Sequence, residues 1–150
     1  MKVLIIGYGS IGKRHEEVLL TIECIKQIDI VTKQLLNKQR TYETLDRIFN
    51  LQEYDYYIIA SETNKHYEQL KYLELKLSNK TIFCEKPLFE SKRILPILKN
   101  KVYVGYVLRF HLLLEKLKKL IKNEIVISVN VNCGQYLPNW RKGVDYKTSY

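Results

Sequence analysis

Met1-Lys2-Val3-Leu4-Ile5-Ile6-Gly7-Tyr8-Gly9-Ser10-Ile11-Gly12-Lys13-Arg14-His15 is the stretch on which the fold is decided. Lys2 to Ile6 is a short, nearly continuous apolar run, the pattern of a strand buried on both faces. Gly7, Gly9 and Gly12 follow at G-x-G-x-x-G spacing. Behind them Ile11, Val18 and Ile22 fall on one side of a helical pattern, with charged residues between. Strand, glycine turn and helix in this order are the setting that a dinucleotide-binding turn requires; a glycine turn in some other α/β fold is the alternative. Gly7 would permit the tight turn, Gly9 would let the backbone approach a pyrophosphate, and Gly12 would let helix and strand pack closely. The helix N-terminus would then present free N–H groups and a positive dipole end to the phosphates.

Working outward, Gln27 to Val31 reads as a second strand. An Asp or Glu about 20 residues past the glycines would bond the adenosine ribose hydroxyls in such a fold. Thr32 and Lys33 occupy that place, so a 2′-phosphate meets no repulsion; Thr32 could donate to it and Lys33 pair with it. NADP is therefore expected to be accepted and slightly favoured over NAD, against the alternative that both are ordinary loop residues. Thr41 to Phe49 is expected as a short helix with Leu45, Ile48 and Phe49 inward, and Tyr54 to Ala60 as the third strand. Ser61 or Thr63 is expected to cap the next helix, whose core stripe is Tyr67, Leu70, Leu73 and Leu77. Thr81 to Cys84 is a fourth strand with Glu85-Lys86-Pro87 at its tip. A short helix over Ser91 to Leu98, interrupted by Pro96, a strand over Val102 to Val107, and an amphipathic helix over Phe110 to Lys122 with Leu113, Leu114, Leu117, Leu120 and Ile121 inward complete the alternation.

Alternating strands and helices over 1–122 predict a Rossmann-type, doubly wound parallel sheet. Ligands in such sheets lie beyond the carboxyl ends of the strands. The unusual polar groups gather there: Gly7 to Gly12, Thr32-Lys33, Ser61 to His66, Glu85-Lys86 and Arg109. Glu124 to Gly134 instead alternates with a period of two, the pattern of a half-exposed antiparallel strand, and is expected to begin an incomplete α+β second domain over 123–150. Its apolar face would be an unprotected edge, which predicts dimerisation or poor solubility. Trp140 and Arg141 follow in a loop expected to be exposed.

The 150 residues and a hydrophobic fraction of 46% suit one core-forming domain. No apolar run of about 18 residues predicts a membrane span, and the glycines interrupt any secretory h-region. Cys24, Cys84 and Cys133 are odd in number and far apart, which predicts buried free thiols in a reducing cytoplasm. The net charge of +9 is spread over the whole chain with no nucleic-acid-binding motif, so nucleic acid is not an expected partner.

Four stretches carry a resemblance: Gly7 to His15, Ala60-Ser61-Glu62-Thr63-Asn64-Lys65-His66, Cys84-Glu85-Lys86-Pro87-Leu88, and Val104-Gly105-Tyr106-Val107-Leu108-Arg109-Phe110-His111. In order and spacing the chain resembles the Gfo/Idh/MocA oxidoreductases, which include glucose–fructose oxidoreductase and inositol dehydrogenase. The E-K-P element is the most specific part. The resemblance implies hydride transfer between a nicotinamide dinucleotide and a hydroxyl or keto group of a sugar-like or sugar-nucleotide substrate. It implies that Lys86 touches that hydroxyl; partly desolvated beside a cationic ring, such a lysine has a lowered pKa and can assist proton transfer. Pairing of Glu85 with Lys86 or solvent is the plainer alternative. The residues expected to hold the dinucleotide are Gly7, Tyr8, Gly9, Ser10, Ile11, Gly12, Thr32, Lys33, Ser61, Thr63, Asn64, His66, Glu85 and Arg109. His66 is read either near the nicotinamide or as a capping or packing residue, and His15 as packing or bonding within the first helix. Relatives continue into a glycine-rich segment with an Asp and a His, and often carry proline where Leu112 stands. The expectation is thus of an incomplete chain that binds cofactor with impaired catalysis. A non-catalytic NAD(P)-binding regulatory module is the alternative, distinguished by replacing Lys86.

Overall fold

The computed structural model describes residues 1–37, 40–95, 99–134 and 136. Its elements are β1 (Lys2–Ile6), α1 (Ser10–Leu19), β2 (Gln27–Val31), β3 (Thr41–Tyr42), β4 (Tyr56–Ile59), α2 (Thr63–Lys76), β5 (Thr81–Cys84), β6 (Lys101–Val104) and α3 (Leu112–Leu120), with 3₁₀ turns at Leu45–Arg47, Leu51–Glu53 and Val107–Phe110. The six strands form one parallel sheet in the order β3-β2-β1-β4-β5-β6. That is the expected doubly wound α/β sheet, with its reversal of strand order between β1 and β4. The chain divides into two compact units, Met1–Val107 and Leu108–Tyr150. No helix among the described residues is long and apolar enough to cross a membrane.

Period-two alternation places each strand's side chains on both faces of the sheet. Leu4, Ile6, Tyr57, Ile59, Ile82 and Cys84 pack on one face against Leu70, Leu73 and Leu77 of and just after α2. Val3, Ile5, Ile58 and Ala60 pack on the other against Leu19 of α1. Each fully buried Leu or Ile contributes about 1.5–3 kcal/mol relative to exposure.

α1 does not bury the expected stripe. Ile11 and Val18 are 48% and 46% exposed, Ile22 is exposed beyond the helix end, and Gly12 and Leu19 face inward. Gly12 sets this rotation, because a β-carbon there would lie 2.2 Å from the carbonyl oxygen of Gly7; only a residue without one can face the sheet at that point.

Thr41 to Phe49 is not a helix. Thr41 and Tyr42 pair with Ile30 and Val31 as the edge strand, and only Leu45–Arg47 turns helically, burying Ile48 and leaving Phe49 exposed. β-branched and aromatic residues at 41–42 suit a strand edge better than a first helical turn. α2 is capped by Glu62 without a side-chain bond, and not by Ser61 or Thr63; the Ser61 hydroxyl is turned to Gln69 Oε1 at 2.6 Å. The helix expected over Ser91 to Leu98 is absent from its described part, residues 91–95; Pro96 to Leu98 lie outside the described residues. Pro96 disfavours the helical conformation of the residue before it. The return to β6 is pinned instead by buried Glu74, whose carboxylate accepts from the Lys99 amide at 2.7 Å and from Asn100 Nδ2 at 3.1 Å.

In the second unit, Leu113, Leu117 and Leu120 of α3, expected inward, are exposed, as are Leu114 and Ile121. The strand expected over Glu124 to Gly134 is not formed, and Ile125 and Ile127 are more than 90% exposed. Alternation makes a strand only where a neighbouring strand supplies the ladder. Trp140 and Arg141 lie outside the described residues. Of the thiols, Cys84 is buried as expected, while Cys24 and Cys133 are exposed.

Candidate functional site

The site is built at the carboxyl tips of β1, β2, β4 and β5. Gly7 continues β1 with φ +93°, a conformation that side chains other than glycine rarely adopt. Its amide donates to the Val31 carbonyl at 2.9 Å, and a β-carbon would lie 2.5 Å from the Ser61 backbone. The tips of β1, β2 and β4 therefore meet at this one residue. Gly9 differs: apart from its chain neighbours, no atom lies within 4 Å of where its β-carbon would stand, so the backbone is approachable from that side.

The first helical bond of α1 runs from the Lys13 amide to the Gly9 carbonyl at 3.0 Å. The amides of Ser10, Ile11 and Gly12 have no carbonyl one turn back to bond. Ser10 and Ile11 are exposed, and the first turn holds no acidic side chain. Such a terminus favours an anion. The Tyr8 side chain lies against α1, its hydroxyl donating to Glu16 and its ring lying 5.8 Å from the Lys13 ammonium. What the turn offers a ligand is backbone and the exposed Ser10.

At the tip of β2, the Thr32 hydroxyl oxygen accepts from the Gln34 amide at 3.2 Å, leaving its own hydrogen free to be donated. Lys33 is exposed beside it. Gln34 carried no signal in the sequence, yet its side-chain amide donates to the Tyr8 carbonyl at 3.1 Å and ties this turn to the glycine turn.

At the tip of β4, Thr63 and Asn64 open α2, Asn64 exposed and Thr63 half-buried. His66 is buried, 1% exposed. Its Nδ1 lies 3.1 Å from the Pro87 carbonyl and its Nε2 3.0 Å from the Ser61 carbonyl; a neutral ring donates to one of them at a time. The ring braces the β4 tip against the cis Lys86–Pro87 turn.

At the tip of β5, Lys86 is exposed. Glu85 is held by a residue read differently from the sequence. His15 does not bond within α1; its Nε2 donates to Glu85 Oε1 at 2.8 Å, across 70 residues, and its ring meets Phe83 edge-on at 5.4 Å. Glu85 Oε2 accepts from the Lys86 amide at 3.3 Å. A β-carbon on Gly105 would stand 3.1 Å from that oxygen, so the glycine leaves the carboxylate its room. Burial pushes the Glu85 carboxyl up, but the His15 hydrogen bond and charge, with the Lys86 amide and ammonium, outweigh it and hold the group below its ordinary range. Just before it, burial and the Glu85 charge push the Cys84 thiol up to about 12, which leaves it a packed, unreactive group. Arg109 lies in the second unit, exposed on the Val107–Phe110 turn.

Residues 1–101 match the oxidoreductase family described as having an NAD-binding Rossmann fold. Solved structures share the fold. A myo-inositol 2-dehydrogenase from Lactobacillus plantarum superposes with TM-score 0.65 at 21% identity, over 82% of this chain and 41% of that one. A probable dehydrogenase from Thermotoga maritima gives 0.63 at 23% identity, over 82% and 41%. A scyllo-inositol dehydrogenase from Lactobacillus casei, solved with NAD(H) and scyllo-inositol bound, gives 0.63 at 20% identity, over 81% and 41%. The chain spans about two fifths of the length of these proteins. No curated protein matches the sequence.

Proposed function

This chain belongs to the Gfo/Idh/MocA oxidoreductase family, and from that premise we propose that it binds a nicotinamide dinucleotide and serves hydride transfer to or from a hydroxyl or keto carbon of a sugar-like substrate. One observation carries the reading: the bare backbone of Gly9 to Gly12 and the exposed Lys86 stand at tips of the same sheet, joined by the His15–Glu85 bond. The residues fit the group. The room at Gly9, the free amides behind it and the acid-free first turn suit a diphosphate. When bound, the dinucleotide supplies the hydride acceptor or donor.

Gly9, Ser10, Ile11 and Gly12 hold the diphosphate through main-chain N–H groups. Thr32 and Lys33 receive the adenosine ribose, and with no acid there a 2′-phosphate is welcome, so NADP is favoured over NAD. Ser61, Thr63 and Asn64 border the nicotinamide half, and His66 fixes that border by bonding Pro87. Lys86 holds or passes the proton of the substrate hydroxyl. The inositol dehydrogenases that share the fold support a polyol or sugar substrate.

Titration with NADH and NADPH, followed by nicotinamide fluorescence, tests the first half. Saturable binding, tighter for NADPH, is expected, and no binding of either would overturn the reading. Turnover with inositols and sugar nucleotides tests the second. Lys86→Ala is expected to abolish it with binding intact, whereas binding with no turnover of any such substrate favours the regulatory alternative.

A further inference from the structure

In the dinucleotide reading the bond between His15 and Glu85 joins two parts of the site, and the join itself has a task. His15 stands on the inward line of α1 with Gly12 and Leu19, one turn behind the glycines. Glu85 is the first residue past β5, two strands away from β1 in the sheet. The histidine could have bonded its own helix; its Nε2 reaches across instead, 2.8 Å from the carboxylate.

The carboxylate is held at both oxygens. His15 takes one oxygen, the Lys86 amide takes the other, and Gly105, just past β6, leaves room for the carboxylate where any β-carbon would crowd it. Phe83 in turn seats the histidine ring edge-on. Both side chains are largely buried, 23% and 16% exposed. A charge-assisted bond in such a place is stronger and more directional than one at a free surface.

The order of the sheet says what is joined. A dinucleotide lies across the point where strand order reverses, with its adenosine ribose at the tip of β2 and its diphosphate on α1. Its other nucleoside is left to the tips of β4 and β5. Helix α1 therefore holds one half of the ligand, and Glu85-Lys86 stands by the other.

We infer that His15 is a positioning residue: through Glu85 it sets the Lys86 turn at a fixed distance from the glycine cradle, so that the nicotinamide half of the dinucleotide finds its place once the diphosphate is held. The inference rests on the proposed dinucleotide reading and adds a division of labour within it. Loss of the bond weakens whole dinucleotides and spares a fragment that ends at the diphosphate.

The test compares His15→Phe, which keeps a ring against Phe83 and loses the donor, with His15→Gln, whose amide nitrogen takes the place of Nε2. Each full-length variant is titrated with NADH and NADPH by fluorescence and with ADP by calorimetry. His15→Phe is expected to bind both dinucleotides about tenfold more weakly and ADP within about twofold of the parent, since only part of one charged hydrogen bond is transmitted to the ligand. His15→Gln is expected to restore dinucleotide affinity to within about threefold of the parent, as a donor that keeps the bond should. Should His15→Phe not fold, His15→Asn, too short to reach Glu85, must behave as it would. Unchanged dinucleotide affinity in the donor-less variant overturns the inference, and so does an equal loss for ADP, which would mark His15 as packing for α1. A parent chain that binds ADP and both dinucleotides, with no difference among the variants, sinks this inference and leaves the dinucleotide reading standing. A parent that binds no dinucleotide sinks both.

Discussion

A β-carbon placed on Gly12 would sit 2.2 Å from the carbonyl oxygen of Gly7, with backbone on the other side of the contact. Neither partner is the end of a flexible side chain, so Gly12→Ala must move α1 off β1. Overpacking of this kind costs about 1–3 kcal/mol. The expected result is a melting temperature lower by several degrees, together with loss of dinucleotide binding, because the helix terminus that would carry the phosphates moves with the helix. Gly9→Ala is the control. Apart from its chain neighbours, nothing lies within 4 Å of the new methyl, so the melting temperature is expected to hold while dinucleotide affinity falls. Melting curves and fluorescence titrations of the pair separate the two glycines. Equal melting losses in both would contradict the geometry.

Thr32 at the tip of β2 predicts cofactor choice. Its hydroxyl accepts from the Gln34 amide, a bond a carboxylate can also accept, so Thr32→Asp should keep the turn. The new charge repels a 2′-phosphate and accepts from ribose hydroxyls. NADPH is expected to bind about tenfold more weakly and NADH more tightly, reversing the proposed preference, since a like charge near an anion costs on the order of 1 kcal/mol or more even in a solvated site. Parallel titrations check it; an unchanged ratio would place the adenosine ribose elsewhere.

The parts of this fold legible in the sequence are those in which neighbours along the chain decide the outcome. β2 and β5 end where their apolar runs end, and the glycine spacing announced the turn between β1 and α1. What was misread depends on distant partners. The rotation of α1 follows from the approach of Gly12 to Gly7, not from the positions of Ile11 and Val18. Among the described residues, the alternation over 124–134 has no ladder to join. His15 and Glu85 are 70 residues apart, and nothing in the local pattern of either points to the other. Asp29, in the middle of the apolar Gln27–Val31 run, gave no sign that a tyrosine would meet it.

That tyrosine is Tyr54, whose hydroxyl donates to Asp29 Oδ2 at 2.6 Å in the core, while Gln27 Nε2 donates to the same carboxyl at 2.9 Å. Tyr54→Phe keeps the ring, which meets Tyr57 edge-on, and takes away one partner of a carboxyl that is 1% exposed. A buried polar group short of a partner costs about 1–3 kcal/mol. Urea unfolding should show a lower midpoint with an unchanged slope. A midpoint within error of the parent would mean that water or Gln27 takes over the lost bond.

Glu85 predicts the acid limb of stability. Its carboxyl is held below the ordinary range in the folded chain, by His15 and Lys86 against the effect of burial. A depressed carboxylate contributes stability that is present above the unfolded value, about 4.3, and lost as pH falls through the folded one. Glu85→Gln keeps an oxygen to accept from His15 but carries no such charge. The parent should therefore lose melting temperature on acidification below about pH 5, and the variant should lose less over the same window. Identical acid limbs would show that the pair is not linked to folding.

The alkaline limb follows from groups of the opposite kind. Cys84 is pushed up to about 12 by burial and by the neighbouring Glu85 charge, and burial raises the Tyr54 and Tyr57 hydroxyls as well. For an acid whose folded pKa is raised, the neutral form is the one the fold holds. Its contribution is complete below the unfolded pKa, near 8.5 for a thiol and 10 for a phenol, and is lost as pH rises from there towards the folded value. The melting temperature should therefore decline from about pH 8.5 and more steeply above about pH 10. Cys84→Ala should remove the first part of that decline and leave the second. The same burial governs reactivity, because the thiolate is the nucleophile. Cys24 and Cys133 are exposed and should react with a disulfide reagent at pH 8 in the native chain, while Cys84 should react only on unfolding. Fast reaction of all three thiols in the native protein would mean that the tip of β5 opens to solvent, and a tip that opens could not hold Glu85 beside His15.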